Sequence, residues 1–197
     1  MIMNLKDLSV RKLRTNGIVK GRAAASLLGA SVLASLLSAC DYTVEADCAA
    51  MYAESPNLPS SYLDAGRGLI THVPSATTWL RCPAGMSFGN NGSCRGEPLL
   101  LPFDEALAYA EEVSEKSGRT IRLPTVGELR ALREDSCVNP SIDIRAFPAA
   151  QVENNWTSEA SRTTSLLACA VYLFQGNSSC RESKATPYPF MLMLEQD

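Results

Sequence analysis

Seven cysteines in 197 residues constrain this chain more than any other feature, and the number is odd. The first, Cys40, stands apart from the rest. It closes a run of seventeen residues, Ala23 to Ala39, that carries no charge, and a basic segment with Lys6, Arg11, Lys12, Arg14, Lys20 and Arg22 precedes that run. Basic, then apolar, then small is the layout of a secretory signal. Setting Cys40 aside leaves Cys48, Cys82, Cys94, Cys137, Cys169 and Cys180. On the oxidising side of a membrane, six cysteines predict three disulfides, drawn from about 15 formal pairings. None of the six forms a CxxC pair and His72 is the single histidine, so no zinc site or other metal centre is expected.

The tetrapeptide Leu37, Ser38, Ala39, Cys40 looks like a bacterial lipobox. In proteins that carry this motif the thiol receives a diacylglyceryl group and, after cleavage, becomes the first residue. An ordinary cleaved signal or an uncleaved helix are the alternatives, the charge-free run being just long enough to span a bilayer. Each buried acyl methylene contributes about 0.8 kcal/mol, so several chains on one cysteine hold a domain at the membrane without a spanning helix. The expected organisation is a signal at 1–39, a lipidated N-terminus and tether at 40–67, and one domain at 68–197. The expected location is the cell envelope, facing the periplasm. Asp41 resembles the inner-membrane retention signal of enteric lipoproteins, but Tyr42 does not reinforce it, and the choice of membrane stays open.

Removing residues 1–39 removes six of 18 basic residues and one of 21 acidic ones, which leaves 12 basic against 20 acidic, a net charge of −8 on the mature chain. An acidic domain repels polyanions, so nucleic acid is not an expected partner. The 158 remaining residues suffice for one domain and one continuous core.

Local signals are uneven along the chain. Residues 41–67 are rich in Ala, Ser, Pro, Asp and Glu with little periodicity, and Cys48 is expected to staple the start of this segment to the domain. Gly68–Thr71 and Thr77–Arg81 read as short strands. Asn91–Gly92 predicts a type I′ reversal that brings Cys82 and Cys94 into bonding range, closing a loop worth about 3 kcal/mol in the chain-entropy model. Phe103, Ala106, Leu107, Ala110 and Val113 fall on one face of a helix that Gly118 ends, with Glu112 and Lys116 paired on the other face. Ile121 to Leu123 read as a strand. Thr125 and Glu128 have the spacing of a capping box, and Val126, Leu129 and Leu132 give the helix it starts a buried face.

Trp79-Leu80-Arg81-Cys82, Gly85, Cys94, Gly96, Ala106, Leu107 and the block Arg122 to Leu129 resemble the DUF1566 family, that of the C-terminal domain of the Legionella collagen-like adhesin. The likeness continues through Asn139 to Asp143, Phe147-Pro148 and Trp156-Thr157-Ser158 to Gly176. The block Arg122 to Thr125 is also similar to the formylglycine-generating superfamily. The resemblance implies an α+β, C-type-lectin-like fold, with two helices packed on short antiparallel strands and disulfide-braced loops. It departs at Tyr188 to Leu194, an apolar run where the family carries arginines, so no binding role of those arginines transfers. Adhesion to sulfated glycans, which the resemblance would suggest, is also disfavoured by the charge of −8.

Asp143 with Glu153, Asn154, Asn155 and Trp156 forms the candidate ligand loop, because oxygen-rich loops of lectin-like domains hold sugars or calcium; no compact calcium-loop spacing is present. His72 has no serine or acid pattern around it, and the six cysteines are assigned to disulfides, so no catalytic set and no cofactor is expected. The expectation is a non-catalytic binding or adhesion module, attached to the membrane through lipid on Cys40, for a glycan, peptide or envelope protein. A structural envelope component and a cryptic enzyme of formylglycine-generating type are the alternatives.

Overall fold

The computed structural model describes residues 45–53, 55 and 57–195. The signal, Cys40 and the lipid attachment expected there lie outside them. The described elements run β1 (Ala46–Asp47), α1 (Cys48–Ala53), β2 (Tyr62–Gly66), β3 (Leu69–His72), β4 (Thr77–Leu80), β5 (Ser87–Phe88) and β6 (Cys94–Arg95). They continue with α2 (Phe103–Ser117), β7 (Ile121–Arg122), α3 (Val126–Arg130), β8 (Cys137–Val138), β9 (Asn154–Ala160), β10 (Leu167–Tyr172), β11 (Asn177–Ser183) and β12 (Met193–Leu194). The fold is mixed, mostly strands with few helices, and three disulfides brace it: Cys48–Cys137, Cys82–Cys94 and Cys169–Cys180.

Five strands make the larger sheet in the order β2-β3-β4-β12-β7, so the last strand in sequence sits between two earlier ones. Ile70 and Trp79 face each other across β3 and β4, and both are fully buried. The smaller sheet has the order β11-β10-β9, with a bulge between Ala168 and Ala170. Between the sheets the chain end alternates as extended backbone must. Phe190 and Leu192 enter the cluster built on Phe103, Ala106, Leu123 and Trp156, while Met191 and Met193 enter the one built on Trp79, Leu129, Ile142 and Phe147. The apolar run Phe190 to Met193 is therefore buried on both faces.

Helix α2 buries Phe103, Ala106 and Ala110, pairs Lys116 with Glu112 on its outer face, and ends at Gly118 in the left-handed region, φ +66°. Thr125 caps α3: its hydroxyl accepts from the Glu128 amide at 3.2 Å, and the Glu128 carboxylate accepts from the Thr125 amide at 2.7 Å. The same carboxylate takes two bonds from Arg122, at 2.7 and 2.9 Å. Arg122 and the cap together hold Glu128 near pKa 2, well below the usual carboxylate range.

Two expectations need correction. The stretch expected as a tether is folded over most of its described length: β1 pairs parallel with β8, Cys48 bonds Cys137, and β2 forms the edge of the larger sheet. Its polar composition misled because it docks by hydrogen bonds and a disulfide, with only Cys48 and Tyr62 of its helix and strands deeply buried. The reversal before Cys94 is not type I′. Gly89 and Ser93 close a three-residue loop in which only Gly92 has positive φ, +78°, so Asn91 avoids the left-handed region that a I′ turn would require of it.

Candidate functional site

The five residues expected to form a ligand loop are not gathered into a polar pocket. Asp143 is fully buried, and its carboxylate accepts from Arg145 Nη2 at 2.6 Å, Arg145 Nε at 2.9 Å and the Arg145 amide at 2.8 Å. Asn154 to Trp156 begin strand β9 rather than a loop. Asn155 is buried and its amide donates to the Gln151 and Glu153 carbonyls, at 3.0 and 2.9 Å, while Asn154 donates to Glu182. Trp156 is a core residue: its indole donates to the Leu101 carbonyl at 2.8 Å and its rings pack on Phe103 and Tyr188. Glu153 alone of the five is exposed. Most of these groups are spent on partners within the protein, Asn155 and Trp156 on backbone carbonyls, Asp143 on Arg145 and Asn154 on Glu182, and the buried Asn155 Oδ1 has no hydrogen-bond partner among the described residues. Among the described residues no three of His, Cys, Asp and Glu group as metal ligands.

His72 is buried, with Nδ1 2.6 Å from the Ser75 hydroxyl. Ser75 in turn bonds Thr77 at 2.7 Å, and the Trp79 indole donates to Thr77 at 2.8 Å. This chain of four side chains ties the β3–β4 hairpin, and burial pushes the imidazole pKa down. The Ser75 hydroxyl is shared with Thr77, so the pair reads as a hairpin tie. All six cysteines after Cys40 are in disulfides.

The accessible polar chemistry lies at the turn Gly66-Arg67-Gly68 between β2 and β3, where all three residues have positive φ, +76°, +54° and +77°. A glycine adopts this at no cost, but an arginine in it is strained by about 1–3 kcal/mol and persists only where its surroundings impose it. Gly68 must also lack a side chain, since a Cβ there would lie 2.8 Å from that of Phe88. Arg67 forms a wall shared by two clefts. One, of about 380 Å³, is lined by Asp64, Arg67, Arg81, Phe88 and Asn90 among others. The other, of about 470 Å³, is lined by Arg67, Thr78, Arg119 and Glu195 among others.

Arg81 is the built part of this site. It is 7% exposed; Nε donates to the Ala146 carbonyl at 3.0 Å, the guanidinium lies 4.3 Å from the centre of the Phe88 ring, and Asp64 stands 3.7 Å from Nη1. Arg67 and Arg119 are exposed, and among the described residues neither side chain makes an ion pair or hydrogen bond. The arrangement is two unpaired guanidiniums and one fixed one, beside Asp64, Glu195, Asn90 and Thr78. Such a surface suits a ligand carrying both hydrogen-bonding and acidic groups. Sequence reasoning missed it, although Gly-Arg-Gly between two strands is a legible turn signal.

A disulfide-braced, mixed α/β domain that carries arginine-lined clefts beside the β2–β3 turn is the class these features define. The chain belongs to the Lcl C-terminal domain family, whose model matches residues 68–193. No curated protein and no solved structure matches the chain significantly. Arg81, Phe88, Asn90 and Arg119 lie inside the matched span, whereas Asp64 and Arg67 come just before it.

Proposed function

We propose that this protein is a membrane-tethered envelope lipoprotein whose Lcl C-terminal domain is a non-catalytic, C-type-lectin-like binding or adhesion module. The Arg67-centred pair of clefts is the observation that carries the reading. A strained and unpaired arginine next to a buried, oriented one is a surface with unused binding capacity. The mixed sheets and disulfide-braced loops support the lectin-like part, and the run Ala23 to Cys40 supports the tether.

Glycan and peptide arrays probed with residues 42–197 test the binding role. The expected result is binding that Arg67→Ala with Arg119→Ala abolishes while the melting temperature is unchanged. Binding that survives the double substitution would move the site elsewhere. No binding, together with stable co-purification of an envelope protein, would replace this reading with that of an assembly component.

A further inference from the structure

We infer that the domain is held with its α1 corner against the bilayer that carries its own lipid. The inference rests on the lipoprotein reading of Cys40. Among the described residues the first one paired with the rest of the domain is Ala46, whose strand pairs with Cys137 and Val138 and is locked one residue later by Cys48–Cys137. Only six Cα-to-Cα steps separate Cys40 from Ala46, a reach of at most about 22 Å whatever conformation they take. A compact unit spanning Tyr42–Asp197 has a radius of gyration of about 15 Å and measures about 40 Å across. The leash is shorter than the body it holds. Turning this corner to the far side of the domain is therefore forbidden, and the face around Ala46 to Ala53 stays on the membrane-proximal half, within about 22 Å of the lipid.

The chemistry of that face agrees. Helix α1 contains no charged residue and exposes Ala49, Ala50, Met51 and Ala53. Of the carboxylates around it, Asp47 is turned to the Ala50 amide at 3.1 Å and to the Asn139 amide at 2.7 Å, Glu134 bonds the Tyr52 side chain, and Glu45 is exposed. The helix is thus an uncharged, partly apolar surface on a corner that also carries Glu45 and Asp47, so the short leash, and not electrostatic attraction, is what keeps this corner at the bilayer.

The test uses full-length protein, processed and acylated, in vesicles of phosphatidylcholine with brominated acyl chains. Met51→Trp places a reporter on α1. Leu166→Trp places one at the Leu166 end of β10, a strand-length from Leu173 and Phe174, whose carbonyls bond Ser141 and Asn139 beside Cys137. Trp79 and Trp156 are fully buried and give a constant background. The expected result is quenching several-fold stronger for Met51→Trp, falling towards the Leu166→Trp level when twenty Gly/Ser residues are inserted after Tyr42. Equal quenching at the two positions in vesicle-bound, acylated protein overturns the orientation while leaving the lipoprotein reading intact. An intact mass without acyl chains, with no vesicle binding, overturns both.

Discussion

The segment before the matched span and the domain that follows it are held by different physics. Residues 45–53 bury little apart from Cys48, and their attachment is a disulfide across 89 residues, a two-residue parallel pairing and a handful of polar contacts, whereas β2 beyond them is already an edge strand of the larger sheet. Residues 68–193 supply all the buried members of two apolar clusters except Tyr62, and their own disulfides close only short loops, of 12 and 11 residues. In the chain-entropy model the long closure contributes about 4.6 kcal/mol and each short one about 3 kcal/mol. The comparison teaches that a covalent bond matters most where packing contributes least.

The largest expected effect follows from that contrast. Replacing Cys48 and Cys137 together with alanine is expected to lower stability by about 4–5 kcal/mol and to release α1 and β1 to solvent exchange first. Denaturant unfolding and amide exchange measure the two parts. If exchange in α1 stays slow, polar contacts hold the segment and the contrast breaks.

Next in size is removal of a short closure. Cys82→Ala with Cys94→Ala is expected to cost about 3 kcal/mol and to loosen the β5–β6 loop without exposing the core tryptophans. A cost above that of the Cys48–Cys137 pair would reverse the ranking, and would mean that the long loop is already compact in the unfolded chain. A smaller effect tests the cap inside the domain: Thr125→Ala is expected to cost about 1 kcal/mol, read as a shift in the urea midpoint at unchanged slope.

How much of this was legible in the sequence also divides along the chain. Helix α2, its Gly118 end and the Thr125–Glu128 box were readable because each is specified by residues within one or two turns. The resemblance to DUF1566 agrees with the matched family. The sheet β9–β10–β11 was not read. Asn177–Ser183 is polar and mostly exposed, with no alternation to mark it, and becomes a strand only because β10 pairs with it. The candidate loop failed for a related reason: Asn155 and Asp143 are polar because buried backbone and Arg145 need partners, which sequence spacing cannot reveal. Arg67 failed in the opposite way, since its interest lies in a backbone angle and in neighbours from β4, from the turn after α2 and from the residues around β12.

The finest test sets an acid inside the domain against one on the domain's side of its contact with the docked segment. In the domain, Glu128 is held near pKa 2 by Arg122 and by the Thr125 cap, so its folded-state value is depressed. Its stabilisation is present above the ordinary carboxylate range and is lost as pH falls towards 2. Glu134 faces the docked segment and shifts the other way: burial raises its pKa first and Asp143 adds to the rise, while Tyr52 and Arg145 oppose it. A raised acid costs stability when ionised, and that cost is relieved as pH falls through its folded value. Mild acid should therefore slow amide exchange in α1 before it affects α3, and Glu134→Gln should give slow α1 exchange already at neutral pH. Exposed groups are screened, so both effects should be small and α1 should respond little to salt. If α1 exchange quickens on mild acidification instead, ionised Glu134 holds the segment through Tyr52 and Arg145, and the docked corner depends on charge as the domain does.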